Sequence, residues 1–226
     1  MKFILASASP RRKELFGLTG WEADILPTHV PEQLNETEAP LDYVTRLAES
    51  KARKAVSLLE TNEHAAVIAA DTIVVSKGSI LEKPVDSQEA EFMLKTLRGR
   101  THQVHTALSI IDVSGGTGSD CVCTTDVPMR SYSRDEILEY ISSGSPMDKA
   151  GGYGIQDKYF SPVLMSSMEG CYANVMGLPL CHLLVLLRGF EMQPEADVPG
   201  VCQDYNRYSC PVHEAILGGE PCAEPR

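Results

Sequence analysis

Lys2-Phe-Ile-Leu-Ala-Ser-Ala-Ser-Pro-Arg-Arg12 takes the chain from a brief apolar run straight into a helix start, a phosphate-binding layout. Lys2 to Ala6 reads as a short buried strand. Ser9 is a good N-cap, Pro10 suits a first helical turn, and Lys13-Glu14-Leu15-Phe16 continues as helix. A strand feeding a helix N-terminus leaves unpaired N–H groups that favour an anion, and Arg11 and Arg12 add forked donors that match phosphate oxygens. The same residues also suit a surface-capped helix with two solvated arginines, so the rest of the chain must decide.

Working outward, Leu41 to Glu60 carries apolar groups near the 3.6 period and predicts an amphipathic helix, with Lys51 off its apolar stripe. Ala65 to Val75 predicts a buried strand whose apolar run is broken only by Asp71 and Thr72. Lys77-Gly78 offers a hairpin turn. Asp86 with Glu89 forms a capping-box pattern for a helix that stops near Gly99. His102 to Val113 alternates as a strand and Gly115 to Gly118 is the turn. Ser119 to Met129 is the returning strand. Ser133 with Glu136 caps a helix ending near Gly144, Gly151 to Gly154 is a glycine-rich loop, and Pro179 to Gly189 is the last apolar helix. Strands and helices mix without strict alternation, which predicts an α/β fold, a twisted mixed sheet with helices on its faces. From Glu191 to Arg226 the texture turns to proline, glycine, acids and scattered cysteine, which reads as an appended extension of the 1–190 domain.

Composition bounds the function. The 226 residues are 43% hydrophobic and 23% charged, with a formal net charge of −11. That charge argues against a nucleic-acid or anionic-membrane partner, so any phosphate ligand must be met by a local cationic cluster. No run approaches the ~18 apolar residues of a membrane span, and no signal-peptide pattern is present, so the expected location is cytoplasmic. Seven cysteines, without paired C-x-x-C spacing, predict reduced thiols and no zinc site.

Asp71 is the first candidate for chemistry. A carboxylate at the end of an apolar run is costly unless it handles a metal, a cation or a proton, although a cap at a strand end is the alternative. Taken together, seven ordered stretches resemble the Maf family of nucleoside triphosphate pyrophosphatases. They are Leu5 to Arg12, Arg46-Leu-Ala-Glu-Ser-Lys51, Ala70-Asp-Thr-Ile-Val74, Leu81-Glu-Lys-Pro84, Thr101-His-Gln-Val104, Asp148-Lys-Ala-Gly-Gly-Tyr-Gly-Ile-Gln156 and Gly170-Cys-Tyr-Ala-Asn-Val-Met-Gly-Leu-Pro179. The resemblance covers residues 2 to 190.

It implies a two-lobed fold of the Maf/ITPase-like kind with a central nucleotide-binding cleft, hydrolysis between the α and β phosphates, and a homodimer. By the same resemblance Asp71 is the proton acceptor for water, Ser7, Arg12, Lys51 and Lys83 hold the triphosphate, and Lys83 is counted with Asp71 as catalytic. A divalent metal cation, Mg²⁺ or Mn²⁺, would share the charge with Asp71 and Glu32. Proline at 31 replaces the first acid of the family's usual Val-Asp-Glu, so Glu32 stands alone there. Oxygen ligands and few histidines favour such a hard cation over zinc.

The family's 7-methylguanosine triphosphate subclass typically has an aromatic residue after Ser-Pro, Gln after the strand Asp and Glu in the glycine loop. Here those positions are Arg11, Thr72 and Gln156, which match the dTTP/UTP subclass. Methylated guanine is cationic and suits an aromatic face and a carboxylate, whereas thymine and uracil are neutral imides that an amide such as Gln156 can pair with. CTP and modified pyrimidines are further candidate substrates. The alternatives are the 7-methylguanosine subclass and a non-catalytic nucleotide sensor of the division-control kind that gave the family its septum-formation name. Cys171 stands where the family more often has Ser and reads as a buried small residue.

Overall fold

The computed structural model describes residues 1–35, 37–60 and 64–219. Strand β1 (Lys2–Leu5) runs into helix α1 (Pro10–Gly17), where the Ser9 side chain accepts a bond from the Arg12 N–H. Strand β2 (Ala23–Ile25) pairs parallel with β1 on one side, and β3 (Ala65–Ser76) pairs parallel with it on the other. Strand β4 (Ser79–Leu81) folds back on β3 through Lys77 and Gly78, both at positive φ (53° and 79°), which is the tight hairpin turn expected there. Strands β5 (Thr101–Asp112) and β6 (Gly118–Pro128) complete the mixed sheet in the order β2-β1-β3-β5-β6.

The period-2 alternation of β3 sorts its side chains between two layers. Ala65, Val67, Ala69, Ile73 and Val75 pack on helix α2 (Pro40–Val56), together with Ile4, Ala6 and Ala107. Ala66, Ile68, Ala70 and Val74 face the larger core, built with α1, α3 (Ser87–Leu97), α4 (Arg134–Ser142), α5 (Tyr172–Met176) and α6 (Leu180–Arg188).

Pairing of β3 with β1 ends at Ile68 and its pairing with β4 begins at Val74. One edge of β3 is therefore open from Ala69 to Ile73, beyond the carboxyl end of parallel strand β1. Open α/β sheets place ligands at such a point. Asp71 and Thr72 sit in the middle of the opening.

Some expectations change. The helix expected over Leu41 to Glu60 stops at Val56; the Ser57 N–H caps it on the Arg53 carbonyl, and Leu58 turns outward, 54% exposed. Glu89 caps α3 by accepting from the Val85 N–H rather than from Asp86, whereas Ser133 and Glu136 form the full reciprocal box on α4. The glycine-rich loop contains two short 3₁₀ turns, Ser145–Asp148 and Ala150–Gly152.

Residues 191–219, read only as an extension, form helices α7 (Val198–Asn206) and α8 (His213–Leu217). Asp197 N-caps α7 and fully buried Val198 joins the main core. The Tyr208 hydroxyl donates to the carbonyls of Met168 and Gly170, and Arg188 donates to that of Leu217. Four cysteines without a shared spacing, Cys171, Cys181, Cys202 and Cys210, meet around one small apolar cavity under α7. Burial pushes the Cys181 and Cys202 thiols up to about 12 and about 11, so they remain protonated. Cys222 lies outside the described residues. Among the described residues no helix is long and apolar enough to cross a membrane.

Candidate active site

The opening in β3 forms one wall of a cleft of about 720 Å³, and all nine site residues expected from the sequence line it: Ser7, Arg11, Arg12, Glu32, Lys51, Asp71, Thr72, Lys83 and Gln156. They arrive from the β1–α1 turn, the first turn of α1, the segment after β2, α2, β3, the segment after β4 and the glycine-rich loop.

On the α2 side, Asp71 points with the odd-numbered residues of its strand. The strand continues through it, so Asp71 is not a terminal cap. Lys51 reaches over from α2, and its ammonium bonds Asp71 Oδ1 at 2.5 Å and Glu32 Oε1 at 2.6 Å. The Lys51 side chain is only 12% exposed, so one buried cation holds two carboxylates together. Burial pushes the Glu32 carboxyl up, but the hydrogen bond and charge of Lys51, with the charges of Lys83 and Arg12, bring it below its ordinary value. Asp71 Oδ2 has no protein donor among the described residues. Tyr43, from the first turn of α2, donates its hydroxyl to Glu82 Oε1 at 2.7 Å and to the Glu32 carbonyl at 3.2 Å. Lys83 is exposed and has no ion-pair partner among the described residues.

On the opposite side, Arg12 is held by neutral oxygens only. Its Nε donates to the Gly177 carbonyl at 2.8 Å, Nη2 to Thr72 Oγ1 at 3.0 Å and Nη1 to Ser7 Oγ at 3.4 Å. Gly177, at φ 103°, ends α5, and a Cβ there would stand 3.2 Å from Thr72 Oγ1 and 3.3 Å from Arg12 Nε. Thr72 is in turn bonded to Thr106 Oγ1 at 2.9 Å, and Thr106 donates to the Asn174 carbonyl. Burial lowers the Arg12 guanidinium pKa, with Asp71 across the cleft opposing the effect. A guanidinium remains charged under any such shift, and this one has no carboxylate in salt-bridge contact among the described residues. It therefore presents uncompensated positive charge to the cleft.

The outer rim carries Arg11, whose Nη1 bonds Asp148 Oδ2 at 3.2 Å, and half-buried Gln156, whose amide has no partner among the described residues. Gln156 is thus free to pair with a ligand edge, whereas the Thr72 hydroxyl is engaged by Arg12 and Thr106. Cys171 is buried as expected. Its thiol lies well above the ordinary range, chiefly through the neighbouring Cys123 thiol, which removes it as a nucleophile.

Among the described residues no group of three or more His, Cys, Asp or Glu side chains is arranged to hold a metal ion. Mg²⁺, however, is commonly held by one or two carboxylates plus substrate phosphates. Asp71 and Glu32, converging on one cation, fit that mode.

Sequence reasoning passed over Tyr43, Glu82, Asp148 and Lys149 as site residues. For the last two a signal existed, because they open the stretch that ends in Gln156.

Comparison with known proteins follows the same boundaries. The Maf-like protein family matches residues 2–190. A dTTP/UTP pyrophosphatase of Photorhabdus laumondii is 46% identical over 186 residues, 82% of this chain and 92% of that one. One of Chlorobium phaeovibrioides is 42% identical, covering 82% and 95% respectively. One of Escherichia coli O157:H7 is 41% identical over 187 residues, covering 83% and 92%. A family match over residues 2–190, with relatives more than 40% identical over more than four-fifths of this chain, shows that the chain belongs to the Maf family.

Proposed function

We propose that the protein hydrolyses dTTP and UTP to the nucleoside monophosphate and pyrophosphate, with CTP and modified pyrimidines as further substrates. The observation that carries this reading is the division of the cleft. Asp71 has a free oxygen on one side of β3, and Arg12 presents charge without an acidic partner on the other.

A triphosphate laid across the opening would meet Arg12, Ser7 and Lys83, whose donors replace its hydration. Asp71 Oδ2 would accept a proton from water as that water attacks the α-phosphorus, while Lys51 holds Oδ1 and fixes the carboxylate's orientation. Charge then builds on the departing pyrophosphate, where Arg and Lys stabilise it. Glu32 and Asp71 are the residues that would hold a divalent cation, Mg²⁺ or Mn²⁺, whose chemistry there is to neutralise phosphate charge. Gln156 can offer a donor and an acceptor to the imide edge of thymine or uracil, and Arg11 a donor to a carbonyl.

The catalytic unit is residues 1–190, since every cleft residue falls within it, and 191–219 serves as a cover on α5 and α6. A homodimer in the cytoplasm, without nucleic-acid or membrane partners, belongs to the same reading and agrees with the charge of −11.

The test is pyrophosphate release from dTTP, UTP, CTP, GTP and 7-methyl-GTP, with Mg²⁺ or EDTA. Metal-dependent turnover led by dTTP and UTP supports the reading. Turnover led by 7-methyl-GTP, or tight nucleotide binding without turnover, refutes it.

A further inference from the structure

Lys149 is nearly buried at the rim of the cleft, 8% exposed, in the stretch that ends in Gln156. Its ammonium donates to the Ser145 carbonyl at 2.5 Å, to Asp148 Oδ1 at 2.8 Å and to Ser145 Oγ at 3.0 Å, with Asp157 Oδ2 at 3.8 Å. An ammonium has three N–H groups, so these contacts leave none for a nucleotide. Lys149 therefore borders the cleft without being able to bind the ligand directly.

Two arms lead from it to the residues read as choosing the base. Along the first, Asp148 accepts from Lys149 on Oδ1 and from Arg11 Nη1 on Oδ2 at 3.2 Å. The carboxylate thus transmits the position of a buried lysine to Arg11. Partial burial raises the Asp148 carboxyl, and Lys149 and Arg11 together bring it below its ordinary value.

Along the second, the turn that presents Gln156 is folded around the lysine stem. A Cβ on Gly154 would stand 2.8 Å from Lys149 Cε and 2.7 Å from Asp157 Oδ1, so only glycine permits this approach. Asp157 closes the turn through its N–H to the Gly154 carbonyl at 3.3 Å, and its carboxylate accepts from Ser145 Oγ at 2.9 Å and from the Tyr140 hydroxyl. Gln156 lies between Gly154 and Asp157.

We propose that Lys149 is a positioning residue for base selection, one buried ammonium that sets Arg11 through Asp148 and Gln156 through the Gly154–Asp157 turn. This rests on the reading of Arg11 and Gln156 as the residues that meet the base. It adds the element that keeps the two in register with each other. Side chains on separate loops discriminate poorly when they move independently, because a small misplacement is enough to lose a paired hydrogen bond.

The experiment compares kcat and KM for dTTP, UTP, 7-methyl-GTP and GTP in the wild type, Lys149→Met, Lys149→Arg and Asp148→Asn, with thermal melts alongside. Lys149→Met keeps the length and removes the donors. The expected result is a KM for the preferred nucleotide raised about tenfold with kcat within about threefold, and a preferred-to-GTP ratio of kcat/KM reduced about tenfold. Lys149→Arg should restore part of that ratio, and Asp148→Asn should reproduce the loss carried by the Arg11 arm.

A Lys149→Met enzyme that loses activity equally on all nucleotides, with the ratio unchanged, overturns the proposal whatever its melting temperature. If Lys149→Met does not fold, an unchanged ratio in Asp148→Asn overturns it as well. The readout is a ratio within each variant, so it still moves if the preferred base proves not to be a pyrimidine. The wild-type ranking would then reject the functional reading separately.

Discussion

The two faces of β3 at its open edge are built on different principles, although Asp71 and Thr72 are adjacent in sequence. On the α2 face the contacts are charged and exchangeable: one ammonium holds two carboxylates, and either can rearrange when a cation or a phosphate arrives. On the other face the contacts are neutral and consecutive, from Arg12 to Thr72 to Thr106 to the backbone of α5. A reacting group must change its proton inventory during turnover, while a binding group must not move. On the proposed reading, the strand alternation delivers one residue of each kind to the same cleft.

If this division is right, substitutions on the two faces should separate in kind as well as in size. Asp71→Asn should produce the largest effect, lowering kcat on the order of 10²–10⁴-fold with KM nearly unchanged. A similar loss in KM with kcat intact would merge the two faces and break the comparison.

The neutral face should also reveal itself in stability. His102 lies on this face, bonded to the Tyr153 hydroxyl at 2.7 Å, and burial alone brings its pKa down to about 4. As pH falls, the unfolded chain takes up the proton first, near its ordinary value of about 6.5, while the folded chain resists until about 4. The contribution is therefore complete above pH ~6.5 and is lost progressively down to pH ~4, amounting to on the order of 3 kcal/mol. Melting temperatures across that window should fall in the wild type and fall less steeply in His102→Gln; identical slopes would remove His102 from the explanation.

Arg12→Lys keeps the charge but loses the fork that grips Gly177, Thr72 and Ser7 at once. KM for the triphosphate should rise roughly tenfold or more, since hydrogen bonds to charged groups contribute about 1.5–3 kcal/mol. Thr72→Val should have the smallest effect. It frees Arg12 Nη2 without changing the shape of the strand, and should raise KM several-fold, in keeping with a bond worth about 1 kcal/mol. Steady-state kinetics on the same substrate measures both, and a Thr72→Val defect confined to kcat would place Thr72 with the reacting groups.

The elements that follow a strong period or a cap were legible in the sequence. The long strands β3, β5 and β6, the Lys77-Gly78 turn and the helix after Ser9 all appear within a residue or two of their expected bounds. Helices α7 and α8 were not, because proline, glycine and acids outweigh a sparse apolar set; their order comes from burying Val198 and bonding Tyr208 to a core built elsewhere. Within the cleft, residue types in family order pointed to the cationic groups that line it, Arg11, Arg12, Lys51 and Lys83. What sequence could not show is which side chains are already engaged. Thr72 reads as a specificity residue by its position, yet its hydroxyl belongs to the Arg12 network. Nothing local marks Lys149 as buried, yet all of its donors are taken inside the fold. Such facts depend on pairings between residues far apart in the chain, such as Arg12 with Gly177, which no local pattern encodes.

In the proposed reaction Asp71 directs water to the α-phosphorus of a pyrimidine triphosphate. Turnover of dTTP in ¹⁸O-labelled water, with mass analysis of both products, tests it most directly. One labelled oxygen is expected in the monophosphate and none in pyrophosphate, with the reaction suppressed in Asp71→Asn. Label in the pyrophosphate would place the attack at the β-phosphorus and contradict the account.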